Sequence, residues 1–287
     1  MNSTLKRRAL PRPSTIVTTV LTFAILAIAA VAIVAPFLWI FRGAISASDA
    51  ELYELPPSPF PTEATLENFG KVFEQVPYGR FILNSLVVAG SITAAQLITC
   101  STAGYAFARL SFPGRGVAFA LVIGSLMIPL QVTIVPLFLV MSKLGLTNTL
   151  WALILPGVFS AFGIFLLRQH FLSLPRELEE AARIDGAGHV RTFFQVILPL
   201  SGPALATLGI LTFTYWWNDL LMPLVMIRDV ENQTLPVGLV LLAGRFSTGS
   251  LGTIAAGITL AIIPVLVVFI VAQRWIVQSI ASSGLKL

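Results

Sequence analysis

Residues 173–205 read SLPRELEEAARIDGAGHVRTFFQVILPLSGPAL, and this stretch decides how the rest of the chain is interpreted. A serine, a proline and several glutamates open it, and this composition is typical of a helix start, so a short helix is predicted over 175–185. Gly186 and Gly188 supply a turn. Apolar residues at helical spacing then predict a second short helix over about 189–197.

Long charge-free runs flank this segment and recur along the chain. Six of them occur in the 287 residues. Crossing a hydrocarbon core of about 30 Å takes about 20 apolar residues, so each run predicts one membrane-spanning helix. The predicted helices are 17–41, 82–107, 117–140, 149–167, 203–226 and 254–275.

The composition excludes a soluble enzyme and a disordered chain. The sequence is 56% hydrophobic and only 11% charged, with a mean hydropathy of +0.89, whereas soluble domains carry about 25% charged residues. One cysteine, Cys100, rules out a disulfide framework, and two histidines leave little for a metal site, so no metal is expected. We attribute the net charge of +5 to the cytoplasmic side of a membrane protein and expect no nucleic-acid partner.

The distribution of lysine and arginine predicts the orientation in the membrane. With the N-terminus inside, twelve of these residues fall in inner segments and six in outer ones, which favours cytoplasmic N- and C-termini. Residues 1–16 are then a cytoplasmic N-terminal segment, 42–80 and 227–253 are outer loops, and 168–202 is the longest inner loop. Within the second outer loop, Asn232–Gly244 lacks charge but is too short to span, so a re-entrant or protein-covered segment is expected.

The paired short helices of the inner loop have two physical interpretations. One face lies against the membrane domain, and the other is free to bind a cytoplasmic partner. Alternatively, the segment is a solvated amphipathic loop without a partner. Hydrophobic periodicity alone leaves both open.

A spaced motif in this loop resembles the EAA loop of ABC-importer membrane subunits. That pattern is Glu-Ala-Ala, three residues, Gly, nine residues, Ile, one residue and Leu-Pro, and this chain departs from it only in having Val196 for isoleucine. The resemblance implies that the loop is a coupling helix that docks on a separate ATPase. The contact residues that it implies are Glu180, Ala181, Ala182, Asp185 and Gly186.

Other stretches are similar to the carbohydrate branch of that family, and specifically to a maltose-type permease pair. They include 105–110, Trp217-Asn218-Asp219 and 235–239. The resemblance implies an all-α polytopic membrane protein with six transmembrane helices, in the type I ABC-importer transmembrane fold. It also implies a multi-pass protein of the bacterial inner membrane, in contact with lipid. The implied partners are a second permease subunit, two ATPase subunits and an extracytoplasmic solute-binding protein.

No Gly-x4-Gly-Lys-Ser/Thr phosphate loop is present, so this chain is not expected to hydrolyse ATP by that route. We expect it to bind no cofactor, with ATP and magnesium on the partner ATPase. The resulting hypothesis is import of a sugar by alternating access. Glycerol-3-phosphate or a related polyol is an alternative substrate, and an ion-coupled secondary transporter or an intramembrane enzyme is an alternative class.

Polar and aromatic groups inside the predicted spans are candidates for the substrate path, because such groups are costly in lipid unless they face protein or water. The candidates are Trp216, Asn218, Asp219, Asn84 and Gln131. For Asn218 and Asp219 the alternative is that they cap a kinked helix or pair with a neighbouring span. Pro129 and Pro136 flank Gln131 and are expected to bend its helix.

The second outer loop is a candidate contact for the solute-binding protein. In the family that this chain resembles, the loop can reach the docked binding protein. The residues expected at its tip are Gly244, Arg245, Phe246 and Gly249.

Overall fold

The computed structural model describes residues 13–53, 58–244 and 250–283, and nearly all of them are helical. The only β-type pairing in this part is an isolated bridge between Ser46 and Ala64. The helices are α1 (Pro13–Ala44), α2 (Glu67–Gln75), α3 (Tyr78–Arg109), α4 (Arg115–Ser125), α5 (Leu130–Lys143), α6 (Trp151–Gly157), α7 (Ala161–Ser173), α8 (Glu177–Ile184), α9 (His189–Thr192), α10 (Leu198–Leu200), α11 (Gly202–Trp217), α12 (Leu221–Met226), α13 (Leu235–Gly244) and α14 (Leu251–Ser283). The predicted all-α class is therefore confirmed.

Six helical segments correspond to the six charge-free runs. Four are long and apolar enough to cross a membrane: Thr18–Ala44, Tyr78–Arg109, Trp151–Ser173 and Leu251–Val271. The third of these comprises α6 and α7, which are separated by residues 158–160. The other two are helix pairs bent at a short break, by 100° for Arg115–Ser125 with Leu130–Lys143 and by 77° for His189–Leu200 with Gly202–Trp217. The predicted number of spans is reached when each bent pair counts as one.

The third predicted span, 117–140, is broken at a proline. Pro129 is the N-cap of α5, whereas Pro136 lies inside that helix. Proline has no N–H to donate and disfavours helical geometry in the residue before it, so α4 ends before Pro129 and the chain turns. The expected bend is therefore present, and it lies at Pro129.

The prediction of one continuous helix over 203–226 is wrong. Helix α11 ends at Trp217, and a separate helix, α12, begins at Leu221. Apolar composition cannot reveal this break, because both helices are apolar.

The chain divides into two compact units. The smaller unit is Met1–Phe69 with Ser250–Thr259, and the larger is Gly70–Gly249 with Leu260–Leu287. In the smaller unit the Asp49 carboxylate accepts hydrogen bonds from Ser250 Oγ at 2.9 Å and from the backbone N–H groups of Leu251 and Gly252 at 2.8 and 2.9 Å. This carboxylate satisfies free donors at the beginning of α14.

A buried arginine near the end of α1 organises the residues that follow this helix in the smaller unit. The Arg42 side chain is 4% exposed, and its nearest carboxylate oxygen is Glu51 Oε2 at 3.6 Å. Ser46 Oγ and the Thr62 N–H donate to the same oxygen at 2.8 and 3.1 Å. The hydrogen bond from Ser46 is the main reason why the pKa of Glu51 lies below its usual value. The carboxylate therefore stays ionised beside the guanidinium.

In the larger unit, α3 packs against α7 and α11 at very short distances. A Cβ on Gly163 would lie 2.8 Å from Cys100 Sγ and 3.1 Å from a Leu208 methyl carbon, and a Cβ on Gly157 would lie 2.8 Å from Ile92. Small residues of this kind let membrane helices approach closely and gain dispersion contacts. The three helices therefore form one closely packed group.

The stretch 232–244, expected to be re-entrant or protein-covered, forms α13 and packs on α3. A Cβ on Gly238 would collide with the Phe81 ring, so only glycine allows this approach. On the next turn of α3, Asn84 Nδ2 donates to the carbonyls of Glu231 and Gln233, both at 2.9 Å. The segment is therefore covered by protein.

Candidate functional site

The inner-loop segment folds as a helix–turn–helix that closes with a Schellman motif. Helix α8 ends at Ile184, and Gly186 follows with φ +78°. The Gly186 N–H donates to the Arg183 carbonyl at 3.0 Å, and the Ala187 N–H donates to the Ala182 carbonyl at 2.9 Å. These two hydrogen bonds, with a left-handed glycine between helix and turn, are the features of that motif.

The inner face of this segment belongs to the core of the larger unit. Ala182, Thr192 and Ile197 are buried there. The Phe193 ring stands 5.0 Å from the Tyr105 ring of α3 and 6.5 Å from the Phe171 ring of α7, measured between centroids. Aromatic contacts at these distances are favourable, so the segment is packed against two spans.

A buried ion pair joins α8 to the end of α3. Arg109 Nε lies 2.9 Å from Glu179 Oε1, with the two side chains 4% and 9% exposed. Arg109 also donates to the Leu174 carbonyl at 2.6 Å, just before α8. Sequence reasoning did not select Glu179. Glu179 and Ala182 are three residues apart and therefore lie on one face of the helix. This spacing is the feature of the sequence that could have identified Glu179.

The outer face of the segment carries four of the five residues predicted to contact an ATPase. Glu180, Ala181, Asp185 and Gly186 are exposed, whereas Ala182 is buried and packs inward. Ala182 faces inward together with Glu179, and the predicted ATPase contact of the five residues stays a prediction. Two large apolar residues also lie in the open on this segment: Ile184 is 86% exposed and Val190 is 72% exposed. Sequence reasoning did not select them either.

A cavity of about 550 Å³ lies between α3, α7 and α11. Trp216 is the one substrate-path candidate in the described lining of this cavity, and Tyr215 and Phe159 contribute further aromatic rings to its wall. Gln96 and Thr212 also line the cavity. The Gln96 side chain is already used in structural hydrogen bonds, because it accepts from Thr212 Oγ1 at 3.0 Å and donates to the Gly157 carbonyl at 2.7 Å. The wall is aromatic with a few polar groups, and its described lining carries no charge.

Asn218 and Asp219 lie at the break between α11 and α12. Asn218 caps α11, and its Nδ2 donates to the Thr214 carbonyl at 2.8 Å. Asp219 Oδ1 accepts from the N–H groups of Leu221 and Met222 at 3.2 and 3.5 Å, at the start of α12. The capping alternative therefore describes their contacts in this chain, and Asp219 is not in the middle of a helix.

The other two substrate-path candidates are separate from this cavity. Asn84 is buried and bonded to the backbone of the outer segment. Gln131 is exposed near the start of α5. Neither lies in the described lining of the cavity.

The outer-loop candidates are only partly visible. Gly244 is the exposed last residue of α13. Arg245, Phe246 and Gly249 lie outside the described residues. Within the described part of the chain, no group of three or more His, Cys, Asp or Glu side chains could hold a metal ion.

Comparison with known proteins gives a family match over most of the chain. Residues 100–282 match the family model described as "Binding-protein-dependent transport system inner membrane component". The chain is 38% identical over 227 residues to the arabinooligosaccharides transport system permease protein AraQ of Halalkalibacterium halodurans, covering 79% of this chain and 81% of that protein.

Two further similarities cover most of both chains. The sn-glycerol-3-phosphate transport system permease protein UgpE of Yersinia pestis bv. Antiqua is 35% identical over 250 residues, covering 84% of this chain and 88% of that protein. A chain in the crystal structure of a bacterial ABC transporter involved in the import of the acidic polysaccharide alginate superposes with a TM-score of 0.79 at 27% identity. That match covers 92% of this chain and 98% of the solved one.

The Schellman turn generates a test of the helix–turn–helix. We expect Gly186→Ala to destabilise the turn by about 1–2 kcal/mol, because an L-residue is strained at positive φ. Open space surrounds the site, so the cost is conformational and not steric. Hydrogen–deuterium exchange at Ala187 should become about 5- to 30-fold faster. Gly188→Ala is the matched control, since Gly188 has φ −76° and open space around it. Equal exchange in both variants would contradict the assignment.

The Arg109–Glu179 pair generates a second prediction. Glu179→Gln leaves a buried guanidinium without its counter-charge, and we expect a loss of about 3 kcal/mol in unfolding free energy. Glu180→Gln, next to it and exposed, should change stability by no more than about 0.5 kcal/mol. Thermal unfolding of the full chain in detergent micelles measures both. A Glu179→Gln variant as stable as Glu180→Gln would show that the pair does not anchor α8.

Proposed function

The chain belongs to the family of binding-protein-dependent transport system inner membrane components, and on that premise we propose that it forms the sugar-translocating permease subunit of an ATP-driven importer. As a member of this family it is a transport subunit of the inner membrane and not an enzyme. Family membership implies in general terms a second permease, an ATPase and a binding protein as partners. The proposal adds a neutral sugar as the substrate and the α8 surface as the ATPase contact.

The exposed face of α8 and its turn is the single observation that carries the coupling part of the proposal. Its inner face is fixed by a buried ion pair and an aromatic cluster, while Ile184 and Val190 remain exposed. A fixed segment with large apolar side chains in the open suits a permanent protein contact. Acidic Glu180 and Asp185 beside them can pair with basic groups on an ATPase subunit.

The contacts of the inner-loop segment can also transmit a displacement to the membrane-spanning helices. A displacement of the inner-loop segment acts on α3 through the Arg109–Glu179 pair, and on α7 through the Phe171–Phe193 contact. Helices α3, α7 and α11 are packed at glycines and move most easily as one body. Because the same helices line the 550 Å³ cavity, closure of the ATPase subunits would change access to it. This is alternating access driven from the cytoplasmic side.

The cavity favours a neutral sugar. Its aromatic rings and its hydroxyl and amide groups suit sugar faces and hydroxyls, and its described lining holds no arginine or lysine to compensate a phosphate. Burying an uncompensated anion would cost several kcal/mol or more. Glycerol-3-phosphate or a related polyol remains the second candidate substrate because of the similarity to UgpE, and a phosphate group would need cations from another subunit.

A second permease subunit is part of the proposal because the cavity is incomplete in this chain. Phe159 and Tyr215 on its wall are 69% and 59% exposed. A sugar path through hydrocarbon needs a closed protein wall, since lipid cannot satisfy hydroxyl groups. The other half of the wall would therefore come from a partner permease.

Reconstituted uptake tests the function. In proteoliposomes with the full complex and a binding protein, we expect labelled oligosaccharide uptake to require ATP and to stop when the ATPase subunits are left out. Replacing Ile184 with aspartate should abolish uptake and release the ATPase subunits, because it puts a charge into an apolar contact. Leu144→Asp is the control, since Leu144 is also exposed but lies outside the inner loop. Uptake driven by an ion gradient without the ATPase would overturn the proposal.

The cavity wall can be tested separately. Tyr215→Ala removes an exposed ring without opening the core, so the complex should stay intact while the KM for sugar uptake rises about tenfold, equivalent to about 1.4 kcal/mol of lost contact. Trp151→Ala is the matched control, because Trp151 is 56% exposed and does not line the cavity. An unchanged KM for Tyr215→Ala would place the sugar path elsewhere.

A further inference from the structure

A second, strongly basic pocket lies between the ends of three spans and α8. We propose that this pocket binds a phosphate group, from an anionic phospholipid or from a soluble phosphate, and that the bound group steadies the coupling segment. The cavity has a volume of about 220 Å³. The arginines that line it are Arg109, Arg115, Arg168, Arg176 and Arg183. The site is separate from the aromatic cavity of the proposed sugar path.

The charges of the pocket do not cancel. Its two acidic residues, Glu179 and Glu180, stand against five arginines, which leaves three positive charges. Glu179 is already paired with Arg109 at 2.9 Å, so it offers little to the others. A small concave site with this excess of arginine attracts an anion.

Two of the arginines are held in place by backbone contacts. Arg168 Nε donates to the Phe107 carbonyl at 3.2 Å, and its guanidinium stands 4.1 Å from the centre of the Phe119 ring. Arg115 donates through one Nη to the Leu110 carbonyl at 2.7 Å. Each contact uses only part of the guanidinium, so the remaining N–H donors are available. Fixed guanidinium groups suit bidentate contacts to phosphate oxygens.

The position of the pocket brings it to the level of lipid headgroups. Arg109 ends α3, Arg115 begins α4, and Arg168 lies in the last two turns of α7. Beyond Arg115, helix α4 buries none of its residues in this chain, and Val117 and Leu121 are exposed. A basic pocket beside an apolar helix surface can take the headgroup of a lipid whose tails lie along that surface.

Occupancy of the pocket would act on α8. Arg176 precedes that helix and Arg183 lies in its last turn, so both move with it. A phosphate held by these two and by Arg168 would join α8 to α7, in addition to the Arg109–Glu179 pair. Anion binding would then stiffen the segment on which the proposed coupling depends.

Equilibrium binding tests this inference without transport or ATP. The full chain, purified with the subunits that co-purify with it, is placed in nanodiscs of phosphatidylcholine with or without phosphatidylglycerol, and bound lipid is counted by native mass spectrometry. In a second arm, radiolabelled inorganic phosphate is titrated into the same complex in phosphatidylcholine alone. The variant is Arg176→Gln with Arg183→Gln, both exposed. The control is Lys143→Gln with Arg228→Gln, an equal change of charge at exposed residues outside the pocket.

We expect the pocket variant to lower phosphatidylglycerol occupancy or phosphate affinity about tenfold or more, since two of the five arginines that attract the anion lose their charge. The control variant should leave both unchanged. A loss confined to phosphatidylglycerol identifies the lipid as the source, and a loss confined to inorganic phosphate identifies a soluble anion. No loss in either arm would overturn the inference. So would release of ATPase subunits with both affinities intact, which would assign the arginines to acidic groups of that partner. Neither result depends on whether the substrate is a sugar.

Discussion

The close packing of α3 against α7 and α11 is the constraint on which the larger unit depends. At Gly163 and Gly157 the neighbouring side chains stand where a Cβ would be, so these helices cannot separate or slide without losing their contacts. In a membrane this matters more than in water, because lipid tails solvate apolar side chains as well as protein does and only good packing holds helices together. The aromatic cavity and the arginine pocket both take their shape from these helices.

The position of the inner-loop segment is fixed by its packing against the same group of helices. One buried ion pair, Arg109–Glu179, and the rings around Phe193 attach it to α3 and α7. A charged contact at this place is directional, whereas apolar contacts alone would allow the segment to rotate. The result is a rigid base with an exposed outer face. Such an arrangement is suited to transmitting a displacement from another subunit, and it gives the adjacent Glu179 and Glu180 different surroundings.

The interruptions of the helices follow from the absence of water in the membrane. Backbone groups freed at a break need protein partners. Polar side chains supply them: Gln96 donates to the Gly157 carbonyl, Thr99 donates to the Val158 carbonyl at 2.7 Å, and Asn218 and Asp219 serve the break after α11. Polar residues inside apolar runs are thus used mainly for structure in this chain. These structural hydrogen bonds compete with the substrate-path role that the location of the polar residues suggested.

Local composition and spacing were enough to predict the membrane class, the helix–turn–helix and the family. Positive φ at Gly186 and the bend at Pro129 were predictable for the same reason. Tertiary structure alone decided that Glu179 and not Glu180 is buried, that Ala182 faces inward, and that Asn84 holds the outer segment. It alone brought five arginines from four separate stretches into one pocket. Which polar group meets which partner depends on the approach of helices distant in sequence, and no local pattern encodes that approach.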